Sequence, residues 1–120
     1  MAFTLTVRPA EAANFAPYTQ AAFNAALANH TPVIIHIEAS WCPTCKQQQT
    51  VLDRLQHDPR YSSVEILDVD FDTQKPVVRQ FHATMQSTFI AYHDSKLVGQ
   101  AVGITSQDAI TALLNQAVGG

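Results

Sequence analysis

The chain has 120 residues, 47% of them hydrophobic, which suits a single domain with its own core. Its formal net charge of −3 argues against a nucleic-acid partner. A chain of this size folds without disulfide staples, so its two cysteines are expected to serve chemistry rather than stability. The stretch Met1 to Arg8 lacks a basic segment followed by a long apolar one, so no signal peptide is expected. The apolar runs are too short to span a membrane. The expected location is cytoplasmic, where thiols are kept reduced.

Phe3, Leu5 and Val7 alternate with polar residues and predict an edge strand that Pro9 ends. Phe15, Tyr18, Ala22, Phe23, Ala26 and Leu27 form a stripe of helical period, so a helix is expected from Asn14 to Asn29 with Pro17 in its first turn. Asn29-His30-Thr31-Pro32 breaks it. Val33 to Ile37 is β-branched and nearly continuous, as in a central strand covered on both faces. Lys46 to His57 predicts a helix turning Val51, Leu52 and Leu55 inward, with Gln47, Gln48 and Gln49 on its solvated face and Pro59 as its stop.

Val64 to Phe71 reads as a second buried strand, with Leu67, Val69 and Phe71 on one face and Ile66, Asp68 and Asp70 on the other. Asp72 and Thr73 are expected to cap a short helix reaching Phe81, with Pro76 in its first turn. Ser87 to His93 and Lys96 to Val102 predict a hairpin around Asp94-Ser95. After the break at Gly103, residues 105–108 offer N-cap chemistry for a last helix. Its inner stripe is Ala109, Ile110, Leu113, Leu114, Ala117 and Val118. The order β-α-β-α-β-α-β-β-α predicts one α/β domain over residues 1–120, with parallel crossovers first, a hairpin last, a mixed sheet and helices on both faces.

Both cysteines fall in Trp41-Cys42-Pro43-Thr44-Cys45-Lys46, between the predicted strand and helix. Two thiols at this spacing can close a small disulfide ring. The first faces unpaired N–H groups and the positive end of the helix dipole, which favour the nucleophilic thiolate. Structural zinc is the alternative, but one C-x-x-C supplies only two ligands, and His30, His36, His57, His82 and His93 are scattered without a ligand pattern. Two inert buried cysteines are another. The flanking strand and helix favour a redox dithiol.

This element order, with Trp41-Cys42-x-x-Cys45-Lys46 at the end of the second strand, Asp72, Thr88-Phe89 and Gly103, resembles thioredoxin from about Phe3 to Val118. The resemblance implies that Cys42 attacks a substrate disulfide and that Cys45 resolves the mixed disulfide. It also implies that Trp41, Pro43, Thr44, Ser87 and Thr88 line the substrate surface. Protein thiols or disulfides would be the substrates, a separate reductase the electron donor, and the protein a monomer. No organic cofactor, nucleic acid or membrane is implied. Two other uses of such a chain are a metal or iron–sulfur site on the same cysteines, which two chains would have to share, and a non-enzymatic adaptor.

Four departures from the family pattern stand out. Pro43-Thr44 replaces Gly-Pro between the cysteines. Ser87 occupies the position of a cis-proline, so a trans Gln86-Ser87 bond or a deliberately strained one is expected. Thr50 replaces a helix-kinking proline, so the helix is expected to run straight. Glu38 replaces an aromatic residue; an exposed side chain and a role at the site are both open readings. The family also buries an aspartate six residues before the first cysteine, paired with a lysine on the neighbouring strand. By the resemblance these positions are His36 and Asp68, with both signs exchanged, and His36 is expected to accept the proton of Cys45 while Asp68 orients it.

Overall fold

The computed structural model describes residues 13–120, and the β-branched run at 33–37 forms the middle of its sheet. In chain order the elements are β1 (Asn14–Pro17), α1 (Gln20–Ala28), β2 (Val33–Glu38), α2 (Pro43–Leu55), a 3-10 turn (Pro59–Tyr61), β3 (Glu65–Asp70), α3 (Lys75–Gln80), β4 (Thr88–His93), β5 (Lys96–Val102) and α4 (Gln107–Val118). The strand expected at Phe3 to Val7 lies outside the described residues.

Asn14–Pro17 is a strand rather than the first turn of a helix. It lies parallel to β3, and backbone hydrogen bonds from Asn14 N–H to Val64 and from Tyr18 N–H to Asp68 fix it at the sheet edge. An edge tolerates the proline, which has no N–H to give. The helix begins only at Gln20, where the Thr19 side chain accepts the Ala22 N–H at 3.0 Å. Of the expected stripe, Phe23 and Ala26 face the core from α1; Tyr18 is buried from the loop before it.

The strands lie in the order β1-β3-β2-β4-β5; β1, β3 and β2 run parallel, and β4 and β5 return antiparallel. The hairpin turn is Asp94-Ser95, both with positive φ (50° and 64°), the handedness that matches strand twist in a two-residue loop. Alternation along β2 and β3 divides the core. Ile34, Ile66 and Phe89 meet Val51, Leu52 and Leu55 of α2 and Ile110, Leu113 and Leu114 of α4. On the other face, Ile35, Ile37, Leu67 and Val69 meet Phe23 of α1 and Val78 of α3. The sheet is therefore mixed and covered on both faces.

The second core is aromatic. Phe23 stacks edge-on against Phe81 and Tyr92, with ring centroids 5.3 and 5.2 Å apart. Phe23→Ala should cost about 3–5 kcal/mol in chemical denaturation. A loss below about 1 kcal/mol would show that this face collapses without it.

Candidate active site

β2 delivers the chain to Ala39-Ser40-Trp41, and Cys42 is the N-cap of α2, with Pro43 in the first turn. Cys42 and Cys45 are joined by a disulfide. Cys42 Sγ accepts the Cys45 N–H at 3.1 Å, so the first sulfur sits where a helix N-terminus stabilises negative charge. Both cysteines are buried in this oxidised state, against Ala39 and Phe71. A cavity lined by Glu38, Ala39, Ser40, Lys46 and Gln49 opens beside Cys45. Trp41 is exposed, and its ring N–H donates to Asp72 Oδ2 at 2.7 Å. Asp72 thus holds the tryptophan and does not cap α3. That helix starts after Gln74, which makes no side-chain cap bond.

Gln48 is fully buried and not on a solvated face. It lies three residues after Cys45 and three before Val51, so helical spacing put it on the inner face, a signal that its polarity masked. Its side-chain nitrogen donates to Ser87 O and to Ile104 O, both at 3.0 Å. Its oxygen meets His36 Nε2 at 2.9 Å. Two carbonyls fix the amide's orientation, because an oxygen turned toward them would be repelled. The oxygen must therefore accept, and His36 Nε2 must carry the hydrogen.

The parallel register places His36 opposite Asp68, as the resemblance implies, with Nδ1 to Oδ1 at 3.5 Å. The ring is fully buried and stacks on Phe89, centroids 4.6 Å apart. Its hydrogen bond goes to Gln48, three residues after Cys45 on α2, which links the ring to the helix that carries the dithiol. Glu38 is part-buried and 3.7 Å from His36 Nδ1. Burial, then the neighbouring Asp68, raises its carboxyl above the usual range; His36 opposes this and Asp70 adds to it. Glu38 lines the cavities on both sides, one beside Cys45 and one below Asp68.

The described peptide bonds are all trans, Gln86-Ser87 among them. The strain at Ser87 appears instead in φ, +57°. That region costs a residue with a Cβ about 1–2 kcal/mol. Ser87 O accepts both the Gln48 amide and the Gly103 N–H, which hold the loop in place. The Thr88 hydroxyl donates to Met85 O at 2.7 Å, and Met85 itself is exposed. α2 runs unbroken from Pro43 to Leu55, with the Thr50 hydroxyl donating to Lys46 O within it.

The family model described as thioredoxin matches residues 14–116. A thioredoxin from Chlamydia caviae is 33% identical over 84 residues, covering 70% of this chain and 80% of its own. The crystal structure of Trxlp from Edwardsiella tarda EIB202 is 38% identical with a TM-score of 0.82, covering 84% of this chain and 98% of that one. A thioredoxin from Trypanosoma brucei brucei, 17% identical, shares the fold at a TM-score of 0.74 and covers 98% of this chain and 100% of that one.

The loop and its strut can each be tested by substitution. Gln48→Leu leaves His36 Nε2 and Ile104 O without their partner and should cost about 2–4 kcal/mol in denaturant titration, since each unpaired buried group costs about 1–3. A neutral result would show that water replaces the amide. At Ser87, proline cannot reach a φ of +57°, whereas glycine adopts it without strain. Ser87→Pro should lower the melting temperature and Ser87→Gly should leave it unchanged or raise it; the reverse order would refute the left-handed loop.

Proposed function

The chain belongs to the thioredoxin family and carries a redox-active C-x-x-C pair, and from that premise we propose that it is an oxidoreductase for protein disulfides, working through Cys42-Pro43-Thr44-Cys45. The observation that carries this reading is Cys42 at the N-cap of α2, its sulfur accepting the Cys45 N–H. The same position favours the Cys42 thiolate in the reduced form.

In the reducing direction, the Cys42 thiolate attacks one sulfur of a substrate disulfide and expels the other as a thiolate. The mixed disulfide is then attacked by Cys45 at the Cys42 sulfur, which expels the second substrate thiolate and closes the Cys42–Cys45 disulfide. Two electrons pass to the substrate. A separate reductase in a reducing cytoplasm would supply two further electrons to reopen the Cys42–Cys45 disulfide, and the protein would act as a monomer. Run from the disulfide, the same steps oxidise a dithiol.

The substrate surface in this reading is built from exposed Trp41, the Pro43-Thr44 turn, and the Ser87-Thr88 loop. Ser87 and Thr88 are themselves buried, so they contribute backbone groups rather than side chains. His36 and Asp68 act by position. Through Gln48 they anchor the first turns of α2 and so the seat of Cys45. Thr50, Glu38 and Pro43-Thr44 set this protein apart from the family pattern around that common chemistry.

Cys45→Ser removes the resolving thiol and should accumulate mixed disulfides on Cys42, isolable from a reducing extract and released by dithiothreitol. In the two single-cysteine proteins, Cys42 should alkylate faster than Cys45 at neutral pH. Faster reaction at Cys45, or no trapped adduct, would reverse the assignment of roles.

A further inference from the structure

His36 and Glu38 stand two residues apart on β2 and share a face, and the register sets Asp68 of β3 beside them. One ligand atom from each of His36, Glu38 and Asp68 lies within 4.8 Å of the others; His36 Nδ1 is 3.7 Å from Glu38 Oε2 and 3.5 Å from Asp68 Oδ1. His36 Nδ1 and Asp68 Oδ1 are buried and have no hydrogen-bond partner. Buried polar atoms in that condition are costly and call for an explanation.

Gln48 determines which nitrogen faces the carboxylates. With the hydrogen on Nε2 held by the glutamine oxygen, Nδ1 is the ring nitrogen turned toward Glu38 and Asp68. A ring nitrogen and two carboxyl groups then converge on one point, which is favourable only around a positive charge.

We propose that His36, Glu38 and Asp68 are the protein ligands of a divalent transition-metal cation, of which zinc fits best, with water completing the shell. One imidazole nitrogen and two carboxylate oxygens are ligands that zinc and its first-row neighbours accept. Around a tetrahedral ion with bonds of about 2.0–2.2 Å, neighbouring donors lie about 3.3–3.6 Å apart. The observed separations from Nδ1, 3.5 and 3.7 Å, are within a small side-chain movement of that. Gln48 supplies the outer partner that a metal-bound histidine requires on its other nitrogen, fixing tautomer and ring orientation. A cavity bounded by Pro17, Glu38, Asp68, Asp70 and Gln74 opens onto the two carboxylates. Neither cysteine is among the ligands, so the site can be tested with the disulfide closed.

Zinc chloride is titrated calorimetrically into the protein in its oxidised form, where the disulfide removes both thiols as ligands. One equivalent should bind saturably. Asp68→Asn and Glu38→Gln, each checked for fold by circular dichroism, should weaken it about tenfold or more. In nitrogen NMR of the histidine rings, zinc should shift His36 Nδ1 while Nε2 keeps its hydrogen. The proposal is overturned if no saturable binding occurs or if both variants bind as the parent does. A His36 ring with hydrogens on both nitrogens that zinc does not disturb overturns it equally, because a proton is then the cation.

Discussion

One buried amide ties this site together. Gln48 projects from the inner face of α2 and uses every direction of its side chain: two hydrogens to the carbonyls of Ser87 and Ile104, and its oxygen to the His36 ring. These contacts join the helix that carries the dithiol to the central strand, to the loop before β4 and to the stretch after β5. In a dry interior such a network is strong when every member is paired and costly when one is removed. A leucine would fill the space but would set neither the tautomer of His36 nor the path of the Ser87 loop.

The left-handed backbone of Ser87 arises from that constraint. A non-glycine residue holds a φ of +57° only where its surroundings enforce it. Here the Ser87 carbonyl is pinned from two sides, by Gln48 and by the Gly103 N–H. The loop is thereby held without a proline, while Met85 two residues before it remains exposed.

Beneath the dithiol, the polar interior is organised by sheet register. His36 is fully buried there, while the carboxyl groups of Glu38 and Asp68 beside it keep part of their surface in water. Its position is set by β2 being central. β3 on one side contributes Asp68 and β4 on the other contributes Phe89, which stacks on the ring and closes it from water. Glu38, the last residue of β2, links this interior to the cavity beside Cys45.

Much of this was legible in the residues. The cysteines at a strand-to-helix junction, the continuous β-branched run before them and the Asp94-Ser95 hairpin are local signals: turn chemistry, strand period and helix capping act over a few residues. The inward set of α4 is of the same kind; Ile110, Leu113, Leu114 and Ala117 are all buried. Other features were decided elsewhere in the chain. Asn14 to Pro17 shares a helical spacing with Tyr18 to Leu27, yet it is a strand because β3 offers an unpaired edge. Asp72 has the chemistry of a cap but bonds an indole brought to it from the neighbouring loop. Gln48 had the inward spacing, but only Ser87, Ile104 and His36 closing around it make burial of a glutamine possible. The resemblance paired His36 with Asp68 in advance, and parallel pairing across a helix crossover brings them together; Glu38 joins them as the next residue of β2 on the same face. Local propensity acts over a turn or a strand, whereas partners for buried polar groups come from whichever segments the sheet order brings alongside, and that is a property of the folded chain.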